Sequence, residues 1–213
     1  MPVEHDSRLH MSDTYNPPQV PLDVIHADHQ ILIVNKPAGL LSVPGKGEHL
    51  SDCLMARILG AFPEALLIHR LDRDTSGVMV FALTPHAQKK TYVARIFGKL
   101  EEKTGTVDQP IIVDWENRPL QKICHDTGRA AQTDWRVLRY DETGTRVRLY
   151  PHTGRSHQLR VHMLFLGHPI MGDPLYAKGD ARDAPRLMLH SENLKFRHPD
   201  GGAGVSFTAK CPF

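Results

Sequence analysis

The chain has 213 residues, 40% of them apolar, which suits one domain with a substantial core. Its 26 basic and 24 acidic side chains leave a formal charge of +2, too small by itself to argue for nucleic-acid binding. Cys53, Cys124 and Cys211 are far apart with no CxxC, which excludes a disulfide framework and a cysteine zinc site and fits a reducing cytoplasm; no run of about 18 apolar residues marks a membrane span.

Residues 1–21 read as a flexible polar arm ending in Pro17, Pro18 and Pro21, without the apolar run of a signal peptide. Ile31–Asn35 is a buried strand, stopped by Lys36-Pro37-Ala38-Gly39. Leu41–His49 reads as loop; Lys46 lies between two glycines, but the GxxxxGK[ST] spacing of a phosphate loop is absent. Ser51 is placed to cap a short helix with Leu54, Met55 and Ile58 on one face, ended by Gly60 and Pro63. Leu66–Ile68 and Val78–Leu83 read as strands around a polar connection, His69–Gly77.

Tyr92–Phe97 is β-branched and aromatic enough for a strand. Thr133–Leu138 and Thr145–Tyr150 alternate in strand fashion, with Arg146 and Arg148 on one face of the second and Val147 and Leu149 on the other. Ser156 is placed to cap a helix carrying Leu159, Met163 and Leu166, ended by Gly167. Leu187–His190 and Val205–Ala209 are the final strands. Strands outnumber helices and no long helices separate them. The fold class is therefore α+β, a large mixed and mainly antiparallel sheet with packed helices, and not a doubly wound parallel sheet.

Three segments carry site chemistry. In His69–Gly77, Asp72 lies between Arg70 and Arg73, and a carboxylate held by cations serves as nucleophile, base or electrostatic stabiliser; Asp74-Thr75-Ser76-Gly77 is equally good turn chemistry. From Thr143 to Met171 there is no acidic residue, but there are Arg146, Arg148, Arg155 and Arg160 with His152, His157, His162 and His168. That is either an anion-facing wall or an ordinary basic face. The five-residue spacing of His152, His157 and His162 keeps them off a common helical face and argues against a metal site. Lys89-Lys90-Thr-Tyr92 sets a basic pair beside a ring, the chemistry of phosphate contact and base stacking.

In combination, these segments resemble the RluA family of pseudouridine synthases. The motifs are His69-Arg-Leu-Asp72 with Thr75-Ser-Gly77, Ile31–Gly39, Tyr92–Gly98, His152–His162 and Leu187–His190, and the resemblance covers nearly all of residues 22–213. Asp114–His125 and Thr127–Thr133 narrow it to short members of dual specificity, which act on 23S ribosomal RNA and the anticodon stem-loop of certain tRNAs. With about twenty residues ahead of the core, no S4 RNA-binding domain fits.

The resemblance implies a pseudouridine synthase fold with a central RNA-binding cleft and an isomerase that needs neither metal nor cofactor. It makes Asp72 the catalytic aspartate, attacking the uridine or its ribose. Tyr92 stacks on the base and is a candidate for proton transfer, and Arg160 pairs with Asp72. Arg70 enters the RNA and holds the target nucleotide out of its stack, and Leu159 packs near the base. His69, Arg73, Arg155, His157 and Lys36 complete the expected RNA contacts. A monomer is expected, since no apolar interface stripe is evident.

One departure is plain: the family carries a helix between the strand ending near Leu83 and the Tyr92 strand, while Thr84–Thr91 leaves room for a hairpin or one short turn, by deletion or by omission of a segment. Two competing readings are an RNA-binding chaperone without catalysis and an acid–base hydrolase built on Asp72 and His69.

Overall fold

The computed structural model describes residues 15–82, 88–198 and 202–213. Its elements are β1 (Val24–Ala27), β2 (Ile31–Lys36), α1 (Leu54–Ala61), β3 (Ser76–Ala82), β4 (Gln88–Phe97), β5 (Thr104–Asp108), β6 (Ile111–Val113), β7 (Gln121–Ile123), β8 (Gln132–Tyr140), β9 (Gly144–Pro151), α2 (Gln158–Phe165), β10 (Leu189–Arg197) and β11 (Gly204–Thr208). Nine strands form one sheet in the order β1-β2-β3-β10-β4-β9-β8-β5, with β11 added to β10, while β6 and β7 form a separate hairpin. β3 and β10 pair in parallel and the other pairs are antiparallel. The sheet is thus mixed and mainly antiparallel, with two α-helices against it.

Both faces of the central strands are buried. Leu32, Val34, Met79, Phe81, Ala94, Val147 and Leu149 share one core with Leu54 and Ile58 of α1 and Leu159 and Met163 of α2. Ile31, Ile33, Val78 and Val80 pack on the opposite side with Leu194 and Phe196. This is why β2 reads as an unbroken apolar run and not as an alternation.

Several sequence expectations need correction. α1 is capped by Cys53, whose sulfur accepts from the amide of Ala56, and not by Ser51. α2 is preceded by His157 in the left-handed region with no side-chain cap, so Ser156 is not its cap either. Leu66–Ile68 makes a single bridge, Leu67 to Phe81, and no strand. The arm is tied down from Tyr15 onward. The Tyr15 hydroxyl donates to the carbonyl of Asp52 and accepts from the amide of Leu41, and Arg57 donates to the carbonyl of Pro18.

The strands flanking the expected hairpin are not neighbours, because β10 lies between β3 and β4. Residues 83–87 of that connection, like 1–14 of the arm, lie outside the described residues. Strands β1, β5, β6 and β7 are three to five residues long, too short for a repeating pattern to announce them.

The β3–β10 contact depends on Gly77. Its φ is +121°, and a Cβ there would stand 2.3 Å from the carbonyl oxygen of Ser191. Glycine is what lets the two backbones meet.

Candidate active site

The loop between α1 and β3 carries Asp72, and the segment after β2 grips it on both sides. The Ser42 hydroxyl donates to the carbonyl of Leu71 at 2.6 Å and accepts from its amide at 3.1 Å. The amide of Gly39 donates to the carbonyl of Arg73, and that of Thr75 to the carbonyl of Asp72. Lys36 donates from Nζ to the carbonyls of Pro37, Leu40 and Arg73. An ammonium has three donors, and here all three are spent on backbone. Lys36 is fully buried, so its expected RNA contact is not made; it fastens the aspartate loop instead.

Tyr92 and Lys90 alternate onto the same face of β4 and line an open cleft of about 640 Å³. Tyr92 is 8% exposed. Burial, then the nearby charge of Asp72, pushes its phenol above the ordinary value, and a hydrogen bond with the Ser191 side chain works against them. The ring therefore presents a protonated phenol. Burial pulls Lys90 down to about 8.

His69 also lines the cleft, but its Nε2 accepts from the amide of Val80, and burial pulls its pKa down to about 3. It remains neutral, and no contact with Asp72 is recorded. The hydrolase couple of Asp72 and His69 is not formed.

The opposite wall is the turn from Pro151 to His157 and the first turn of α2. Gln158 is buried and builds this turn. Its amide oxygen accepts from the Thr153 hydroxyl and the Arg155 amide, while its nitrogen donates to the Gln132 carbonyl and the Thr133 hydroxyl. Arg155, His157 and Leu159 consequently face the cleft.

Arg160 is 3% exposed and is held chiefly by Asp173, which is fully buried: Nε and Nη2 donate to its two oxygens at 2.8 and 2.6 Å. Burial works against the guanidinium's charge, and the Asp173 bonds more than offset it, so its pKa is raised. The remaining nitrogen, Nη1, reaches Oδ2 of Asp72 at 3.4 Å. Gly172, at φ +68°, sets up Asp173; a Cβ there would collide with the Arg186 carbonyl at 1.9 Å.

The structure thus brings Asp72, Tyr92, Arg160, His69, Arg70, Arg155, His157 and Leu159 around one cleft. It does not bring Arg73 there: that guanidinium donates to Asp74 at 3.0 Å. The cation on Asp72 is therefore the sequence-distant Arg160 and neither adjacent arginine. Within the acid-free stretch, Arg148 pairs with Glu192 at 2.9 Å and Arg146 donates to the Phe213 carbonyl. Arg148 lies opposite Val93 across β4 and β9, on the sheet face away from Tyr92. The anion-facing wall reduces to residues 151–160.

Asp173, Ser42, Gln158 and Tyr176 escaped sequence reasoning. A lone aspartate between Gly172 and Pro174 was the one available signal. No group of three or more potential metal ligands occurs among the described residues.

Comparison with known proteins gives a consistent picture. Residues 30–165 match the family model described as RNA pseudouridylate synthase. The chain is 50% identical over 216 residues to the dual-specificity RNA pseudouridine synthase RluA of Escherichia coli strain K12, covering 94% of this chain and 99% of the relative. It is 48% identical to the protein of that name from Yersinia pestis, over 89% of this chain and 99% of the relative. Among solved structures, human RNA pseudouridylate synthase domain containing 1 superposes with a TM-score of 0.74 at 28% identity, covering 91% of this chain and 84% of that chain.

Proposed function

The chain belongs to the RNA pseudouridylate synthase family and is an RNA pseudouridine synthase, an isomerase; on that premise we propose that Asp72, Tyr92 and Arg160 carry the reaction in the cleft between the 67–75 loop and α2. The observation that bears this reading is the guanidinium–carboxylate contact across the cleft, Arg160 Nη1 to Asp72 Oδ2 at 3.4 Å. Arg160 is itself immobilised by Asp173, so it presents one donor at a fixed place and orients the aspartate.

A uridine leaves its stack and enters the cleft, with Arg70 in the vacated place and the Tyr92 ring against the base. Asp72 acts on the nucleotide and the bond from N1 to C1′ breaks. The uracil turns in place, a bond from C5 to C1′ forms, the C5 hydrogen leaves as a proton and N1 gains one. The reaction is an isomerisation with no net redox change. Tyr92, kept protonated by burial and by Asp72, suits the roles of platform and hydrogen-bond donor better than that of base.

Arg155, with Lys90 opposite, supplies contacts to the RNA backbone. The substrates are RNAs of two kinds, a tRNA anticodon stem-loop and 23S ribosomal RNA. The dual specificity in the relatives' names supports two kinds of RNA, and the resemblance of the Asp114–Thr133 motif to short family members supports this pair. The catalytic unit is residues 22–213, acting as a monomer in the cytoplasm.

Asp72→Asn is expected to abolish tritium release from a stem-loop RNA carrying 5-tritiated uridine while leaving RNA binding within about threefold of the parent, since binding rests on the cleft cations. Persistent release in that variant would refute the assignment.

A further inference from the structure

His157 is the one non-glycine residue with positive φ, at 53°, among the described residues. A left-handed imidazole immediately before α2 is a costly conformation that surrounding structure must enforce, and such residues concentrate where geometry matters. Its surroundings on both sides are specific.

On one side stands Tyr176. The amide of Gln121 donates to the Tyr176 hydroxyl oxygen at 2.8 Å, and the same oxygen lies 2.7 Å from Nδ1 of His157. Burial pushes that phenol up to about 12, so it keeps its hydrogen. No other acceptor for that hydrogen is recorded among the described residues, so it points to Nδ1. Burial also lowers the His157 pKa, with the charge of Asp72 opposing, so the ring is neutral and carries one N–H. With Nδ1 accepting, that N–H is on Nε2.

On the other side, Nε2 lies 3.9 Å from Oδ2 of Asp72, the oxygen already approached by Arg160. The two rings meet edge to face at 85°, and the Arg160 guanidinium lies 5.0 Å over the Tyr176 ring, which closes the group.

We propose that His157 is a positioning residue for Asp72: the hydrogen bond from Tyr176 fixes the imidazole in the tautomer whose Nε2–H faces Oδ2. Together with Arg160 it occupies that oxygen from the α2 side and leaves Oδ1 turned to the nucleotide. No partner for Oδ1 is recorded among the described residues. The 3.9 Å separation closes to a hydrogen bond when substrate fills the cleft, as catalytic contacts commonly do. This role rests on Asp72 being the reacting group.

Two substitutions separate positioning from a backbone role. Asparagine tolerates the left-handed conformation and can face Tyr176, but it is too short to reach Asp72; glutamine fits that backbone less well but carries an N–H near the place of Nε2. His157→Asn is therefore expected to slow single-turnover tritium release by roughly 10–100-fold, the worth of a hydrogen bond to a charged group, with RNA affinity within about twofold. His157→Gln should recover most of the rate.

The reverse order, with asparagine near the parent and glutamine impaired, means a conformational role and overturns the proposal. Equal losses of rate and affinity mean an RNA contact and also overturn it. If His157→Asn melts well below the parent, Tyr176→Phe decides: slower turnover at unchanged affinity supports the tautomer lock, and an unchanged rate overturns it. Asp72→Asn is run alongside. Activity surviving there sinks the underlying catalytic reading, whereas an inactive Asp72→Asn beside a parent-like His157→Asn sinks the role of His157 alone.

Discussion

Arg160 and Asp173 form a buried pair, with side chains 3% and 0% exposed. Removing either member strands the other charge away from water. Asp173→Asn is expected to cost roughly 3–5 kcal/mol of stability and Arg160→Ala a similar amount, both measured by urea unfolding. The double variant Arg160→Met with Asp173→Leu should cost far less than the two single losses together, because no orphan charge remains. Arg160→Ala will therefore depress melting as well as turnover, and turnover has to be compared at a temperature where both proteins are folded. Asp72 and Arg160 were legible in the sequence because each falls inside a recognisable run of residues. Asp173 was not, because its importance comes from burial opposite a helix thirteen residues earlier, and burial of a polar group leaves no mark on local composition. Lys36 shows the converse: a lysine at a strand end reads as a surface cation, and three converging carbonyls make it an internal rivet.

The elements that frame the cleft were mostly visible as apolar runs, and their partners were not. The β2 and β3 strands follow from apolar runs, β4 from β-branched and aromatic content, β8 and β9 from alternation, and both helices from helical periodicity. The pairing of β3 with β10 joins residues more than a hundred positions apart, beyond the reach of any local pattern. That pairing has a testable weak point at Gly77. Gly77→Ala places a methyl 2.3 Å from the Ser191 carbonyl in a backbone conformation alien to alanine. A loss of about 2 kcal/mol or more is expected in thermal or urea unfolding. The Asp72 loop leads into β3, and Tyr92 faces Ser191 across the adjoining strand pair, so activity should fall with it. The helix starts were misread for one reason: serine is a good cap on average, but the chain enters α1 through a cysteine and α2 through a left-handed histidine.

For the molecule as a whole, net charge says little and its placement says more. Arg70, Lys90 and Arg155 face the cleft, whereas Arg146 and Arg148 are engaged with Phe213 and Glu192. Two phosphate contacts, from Lys90 and Arg155, predict that the logarithm of RNA affinity falls with the logarithm of salt at a slope of about −1.4 to −1.8. Arg155→Ala should flatten that slope by about 0.7–0.9, and Arg148→Ala should leave it unchanged. Binding assays across a salt series decide both. The insertion of β10 between β3 and β4 has a consequence in time. A nascent chain that has left the ribosome only as far as α2 already holds the aspartate, the tyrosine and the arginine. It has nothing to lie between the strands that space them. Ser76 and His190, which meet in the finished sheet, are 114 positions apart, and closures of that range come late in folding. The spacing of the three groups is therefore complete only once β10 has emerged and paired with both of its neighbours.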